Sequence, residues 1–176
     1  TYQDMQFNHV IFCEGSEVRN NPLWNWIPLV PAKGERLIIH APDLQLPHVY
    51  NDGKIIIPLD DDHYWVGSNY EWKTLDTVPT EKVKEDLIAF LDKTLKVRYD
   101  IVDHAAQVRP SSYNRRPFVG RHPEHPNYYI LNGLGTKGAS LAPYCAEQLI
   151  GYILEGADVD EEIDVSRVHL RQDFGG

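Results

Sequence analysis

Hydrophobic and polar positions alternate along this chain in short blocks. His9-Val10-Ile11-Phe12-Cys13 is an apolar run closed by Glu14-Gly15 and predicts a short buried strand. The Pro- and Trp-rich stretch over residues 20–31 predicts a loop with one helical turn, and residues 34–40 (GERLIIH) predict a second strand. Residues 47–58 place β-rich arms around Asn51-Asp52-Gly53, a hairpin signature. Asp60-Asp61-Asp62 turns the chain again into His63-Tyr64-Trp65-Val66-Gly67, so three neighbouring strands should form an antiparallel meander. Helical spacing appears after Pro79. Thr80 suits an N-cap, Glu81 suits the positive end of the helix, and Val83, Leu87, Leu91 and Leu95 recur every four residues.

A strand is expected over residues 99–108, then a turn-rich Arg/Pro segment, then a last strand over residues 127–131. The final helix carries Leu141, Cys145, Leu149 and Ile153 on one stripe. It is expected to begin at about residues 140–142, which leaves Pro143 in a tolerated first-turn position, and to stop at Glu155-Gly156. Antiparallel strands interrupted by two helices give an α+β fold, with an antiparallel or mixed sheet and flanking helices.

Composition narrows the function. A formal charge of −9 opposes general binding of nucleic-acid backbones. No apolar run approaches the ~20 residues of a membrane-spanning helix, and residues 1–5 lack signal-peptide character. Cys13 and Cys145 have no CxxC partner. Two free buried thiols in a cytoplasmic protein are expected, although a disulfide is conceivable.

Gly133-Leu134-Gly135-Thr136-Lys137-Gly138 matches GxGxxG between a strand and a helix. Too little chain follows Gly138 to complete a dinucleotide-binding half, so a Rossmann entry point, and with it an NAD(P)-binding reading, is disfavoured. What remains is a glycine turn at a helix N-terminus. It serves either an anionic ligand or tight packing. Upstream, Arg109, Arg115, Arg116 and Arg121 crowd into one segment of an acidic chain. They suit either bidentate carboxylate recognition or a solvated basic loop.

The ordered succession Val108-Arg109-Pro110, then residues 116–123 (RPFVGRHP), then residues 132–143 (NGLGTKGASLAP) resembles the C-terminal end of the D-amino-acid oxidase and glycine oxidase family. Residues 10–15, 31–35, 57–58 and 66–71 fall in register with the same family. The resemblance implies the substrate-side portion of an FAD-dependent amine or amino-acid oxidoreductase. A Rossmann segment with the true FAD fingerprint would precede Thr1, and this chain alone would not turn over. It further implies one structural unit over 1–176, with substrate-domain sheet and helix at about 22–118. Segments 1–21 and 126–176 would pack on the FAD domain.

By the same match, Arg109 holds the substrate carboxylate, and Gly133, Leu134, Gly135, Thr136, Lys137, Gly138 and Ser140 lie near the flavin. Relatives often carry a tyrosine shortly before the proline matched by Pro58, where this chain has Ile55 and Ile56. The equivalent polar contact is expected either from Tyr50, Tyr64 or Tyr113 or not at all. The partners implied are a small amino acid or amine and the N-terminal FAD-binding domain. No metal site is expected: His122 and His125 sit in a proline-rich connection, and Asp60 to Asp62 form a solvated turn. The competing reading is a non-catalytic binding domain built on the same fold.

Overall fold

The computed structural model describes residues 4–168. Its strands are β1 (Val10–Phe12), β2 (Ala32–His40), β3 (Tyr50–Asp52), β4 (Lys54–Pro58), β5 (His63–Gly67), β6 (Asp100–Arg109), β7 (Phe118–Arg121) and β8 (Tyr128–Asn132), with helices α1 (Glu81–Thr94) and α2 (Gly138–Glu155). The mixture is α+β, as the pattern predicts. The chain divides into two compact units where one was expected. One runs up to Pro31 and resumes at Arg109; the other is Ala32–Val108.

In the Ala32–Val108 unit the sheet order is β3-β4-β5-β2-β6. The predicted meander is present, with Ile56 opposite Val66 across β4 and β5 and Asp52 opposite Lys54 around Gly53. Gly53 has φ 74°, a conformation that costs glycine little. Asp61 and Asp62 both adopt left-handed conformations at the next turn, which short polar side chains tolerate better than most. Antiparallel pairing of β2 with β5 sets Leu37 against Val66 and Ile39 against Tyr64. These four join Ile56, Ala41, Leu87 and Leu91 in one buried cluster, so α1 covers one face of the sheet with the stripe read from its four-residue spacing. Full burial of Leu87 and Leu91 is worth about 1.5–3 kcal/mol each.

Thr80 begins α1 without capping it. Its amide and hydroxyl donate instead to the two carboxylate oxygens of Glu35, at 2.7 and 2.9 Å. Glu35 also accepts from His104 Nε2 at 3.0 Å, and Lys33 Nζ lies 3.8 Å away while donating to Asp76 at 2.6 Å. Lys33 and Glu35 are both buried, which charged groups accept only when paired.

The other unit holds a three-stranded sheet, β1-β8-β7, with β1 parallel and β7 antiparallel to β8. Alternation along these strands supplies two cores. Val119 and Tyr129 meet Cys145 and Leu149 of α2, while Phe118 and Ile130 meet Val18, Trp24 and Ile27.

Four sequence expectations are corrected. β7 lies in the Arg/Pro segment that the sequence predicts as turn. α2 begins at Gly138, after a 3-10 helix over Gly135–Lys137, so Pro143 lies in the second turn and removes a backbone donor there. Cys13 is exposed; only Cys145 is a buried thiol, and burial pushes its pKa up. Ile11 in β1 is exposed as well. At the far end of α2, Gly156 adopts φ 70° and closes the helix as expected.

Candidate functional site

Arg109 is the last residue of β6 and the point at which the chain re-enters the unit that contains the glycine turn. Within that unit the two segments meet. Ser111 bridges Leu134 in antiparallel fashion, and the Gly135 amide donates to the Pro110 carbonyl at 3.2 Å. On the other side of the same segment, the Val30 amide donates to the Ser111 carbonyl at 2.7 Å. The residues directly after Arg109 are thus held between the loop before Pro31 and the glycine turn.

Each glycine of the turn does something different. Gly133 has φ 76°, and a Cβ there would lie 2.8 Å from Cδ2 of Phe118. Gly135 has φ 55°, and a Cβ would lie 3.2 Å from Ser111 Oγ. These two are required by backbone conformation and close packing. Gly138 is ordinary helix (φ −53°), and its nearest neighbour to an added Cβ is Leu134 Cβ at 4.0 Å. Packing within the described chain therefore does not demand glycine at 138. Asn132, buried, braces the turn: its side chain accepts from the Gly133 amide at 2.8 Å and donates to the Gly15 carbonyl at 3.0 Å.

The start of α2 is open. Thr136, Lys137 and Ser140 are exposed, no side chain caps the first amides, and no acid stands in the first turn. Ser140 Oγ donates back to the Lys137 carbonyl at 3.1 Å. An uncapped helix N-terminus beside a cationic side chain suits a group carrying negative charge.

The four arginines separate by environment. Arg115 is exposed, Arg116 pairs with Glu162 at 3.0 Å, and the Arg121 guanidinium lies over the Tyr152 ring at 6.0 Å. Arg109 is half-buried and adjoins the turn. The tyrosines separate too. Tyr113 is exposed, in the same unit as Arg109, where it lines a cavity of about 280 Å³ with Trp26, Pro28 and Phe118. Tyr50 and Tyr64 belong to the Ala32–Val108 unit. Tyr64 is buried in its core and donates its hydroxyl to the Leu44 carbonyl, whereas Tyr50 packs half-buried at the edge of that core.

His122 has both ring nitrogens engaged, Nε2–H on the Leu23 carbonyl at 2.8 Å and Nδ1 accepting from the Glu124 amide at 3.1 Å. It is a structural histidine packed against Trp24. No pattern in the sequence pointed to the Lys33–Glu35–His104 cluster.

Comparison with known proteins follows the same lines. The family described as FAD dependent oxidoreductase matches residues 2–151. The glycine oxidase of Pseudomonas aeruginosa is 32% identical over 125 residues, covering 69% of this chain and 34% of that protein. The glycine oxidase of Pseudomonas putida is 32% identical over 135 residues, covering 75% and 37%. The chain therefore spans about a third of the length of these curated relatives. Among solved structures, iminodiacetate oxidase from Chelativorans sp. aligns with a TM-score of 0.74 at 22% identity, over 89% of this chain and 44% of that one. Glycine oxidase from Geobacillus kaustophilus aligns at 0.73 and 19%, over 91% and 44%. At these identities the structural likeness establishes the fold.

Proposed function

Since the chain belongs to the FAD dependent oxidoreductase family, we propose that it supplies the substrate-side part of a flavoenzyme that oxidises an amino acid or related amine, with turnover requiring the FAD-binding segment. The observation that carries this reading is the pairing of Pro110 and Ser111 with Gly135 and Leu134, which fastens the chain beside Arg109 to the open start of α2. FAD, when bound, would supply the hydride acceptor. The chain's own residues have the simpler task of holding charge in place.

Arg109 offers a planar fork of donors that matches a carboxylate in bidentate fashion, anchoring that end of the substrate. The exposed first turn of α2, through Gly138 and Ser140 with Thr136 and Lys137 beside it, fits the side of a flavin that gathers negative charge on reduction. Leu134 is half-buried and Gly133 buried, so they support this surface from behind. Tyr113 is the tyrosine best suited to a polar substrate contact, being exposed and in the unit of Arg109.

The test is an absorbance spectrum of the full-length protein before and after anaerobic addition of glycine, proline and D-amino acids. A flavin spectrum that bleaches with one of them is the expected result and names the substrate class. A protein that carries no flavin and takes up none when FAD is added would leave a non-catalytic binding role.

A further inference from the structure

On the sheet face opposite α1, two imidazoles stand side by side. His40 of β2 is directly opposite His63 of β5, with ring centroids 5.0 Å apart and planes tilted by 40°. The next pair along the ladder carries a hydrogen bond, Ala41 N–H to the Asp62 carbonyl at 2.9 Å. Bonded and non-bonded pairs alternate in antiparallel sheets, so His40 and His63 form a non-bonded pair, in which side chains approach most closely.

The orientation of His63 is fixed from behind. Its Nδ1 lies 2.7 Å from the Asp61 carbonyl. A carbonyl can only accept, so Nδ1 carries the hydrogen and the neutral ring keeps its lone pair on Nε2. Metal-binding histidines characteristically donate their second nitrogen to a backbone carbonyl or carboxylate in this way. The left-handed conformations of Asp61 and Asp62 shape the turn that carries this carbonyl, and the three aspartates of the turn add local negative charge to an already acidic chain. Among the described residues no set of three or more His, Cys, Asp or Glu side chains converges on a metal position.

We propose that His40 and His63 form a two-histidine site for a divalent transition-metal ion of the imidazole-binding class, such as Cu²⁺, Ni²⁺ or Zn²⁺. Water completes the coordination sphere, and the bound ion clips β2 to β5. Because the two ligands are brought together only by the folded sheet, binding favours the native state and raises its melting temperature.

The experiment titrates the tag-free full-length protein with Ni²⁺ by calorimetry and follows its melting temperature. One equivalent should bind, with a rise in melting temperature. His40→Asn and His63→Asn should each weaken binding by at least about tenfold, since even loss of a supporting hydrogen bond costs that much, and both should abolish the rise. Binding that survives in the double variant, or no binding by the wild type, overturns the proposal. A second measurement needs no variant: electron paramagnetic resonance of the wild type with one equivalent of Cu²⁺ should show two imidazole nitrogens on the ion. One nitrogen or none overturns the proposal equally.

Discussion

Gly135 donates its backbone N–H to the carbonyl of Pro110 at 3.2 Å, which joins the residue following Arg109 to the glycine turn by the main chain. The backbone at Arg109 is therefore held by main-chain geometry, and on the proposed reading altering its side chain should change what the site recognises. In the full-length enzyme, Arg109→Lys keeps the charge and loses the fork, and Arg109→Met loses both. A hydrogen bond to a charged group is worth about 1.5–3 kcal/mol, so Arg109→Met should lower kcat/KM by about ten- to more than a hundredfold, with Arg109→Lys between it and wild type. Steady-state kinetics on the oxidised amino acid measure this. Unchanged kcat/KM in Arg109→Met would remove Arg109 as the carboxylate anchor.

Gly133 and Gly53 share a left-handed conformation, with φ 76° and 74°, but not an environment. An added Cβ at Gly53 meets nothing within 4 Å, whereas at Gly133 it meets the Phe118 ring at 2.8 Å. Gly53→Ala should cost about 1–2 kcal/mol, the backbone term alone. Gly133→Ala adds overpacking and should cost about 2–4 kcal/mol. Urea unfolding midpoints of the two variants check the difference; equal losses would mean that Phe118 moves aside freely.

Elements with a long or regular pattern could be read from the sequence. The spacing of Val83, Leu87, Leu91 and Leu95 identified the buried face of α1, and Gly53 marked the hairpin tip. β7 escaped because its four residues are too few to carry a periodicity; its pairing with β8 on one side and the Val119–Asp164 bridge on the other make it a strand. The start of α2 was misplaced because Pro143 was assigned to a first turn, while packing against β7 and β8 holds the helix together despite a missing donor. The contact of Pro110 with Gly135 joins residues 25 apart in number, and that of Glu35 with His104 joins residues 69 apart. No local rule predicts either. Family resemblance pointed to the first and nothing pointed to the second.

Removing Glu35 should be more damaging than removing Lys33. Glu35 receives the Thr80 amide, the Thr80 hydroxyl and His104 Nε2, and Glu35→Leu leaves these donors without their acceptor. Breaking a buried ionic cluster in this way costs about 3–5 kcal/mol. In Lys33→Met, Glu35 keeps those three donors and Asp76, whose side chain is 47% exposed, turns to water. Its cost should be smaller, about 1–3 kcal/mol. Chemical denaturation of both variants provides the ranking.

Acid should weaken the fold through a definable set of carboxylates. The Lys33 ammonium holds Asp76 below the usual range, the Arg36 guanidinium does the same for Asp103, and the Tyr144 hydroxyl for Asp160. The folded state then binds protons less readily than the unfolded chain, so stability rises with pH across the window between the two pKa values. The contribution is complete above the ordinary aspartate value of 3.8. It disappears as pH falls through the lower, folded values. Asp103→Asn should flatten this slope without changing its sign, as measured by urea midpoints at a series of acidic pH values. A slope unaffected by Asp103→Asn would mean that the Arg36 contact, 2.8 Å in the folded chain, does not persist in solution.

The tyrosines differ in burial, and the proposed division between structure and recognition can be measured. Tyr64 is buried and its hydroxyl is committed to the Leu44 carbonyl. Tyr64→Phe should lose about 1 kcal/mol of stability, the net worth of one buried hydrogen bond, and leave KM alone. Tyr113 is 75% exposed, so Tyr113→Phe should change stability by less than about 0.5 kcal/mol. If its hydroxyl meets the substrate, KM should rise several-fold in the full-length enzyme while the melting curve stays in place. Tyr50→Phe serves as the comparison, because its ring packs half-buried at the core edge. A rise in KM for Tyr64→Phe at unchanged stability would reverse the assignment, since a hydroxyl that anchors the core cannot be removed without the fold registering it.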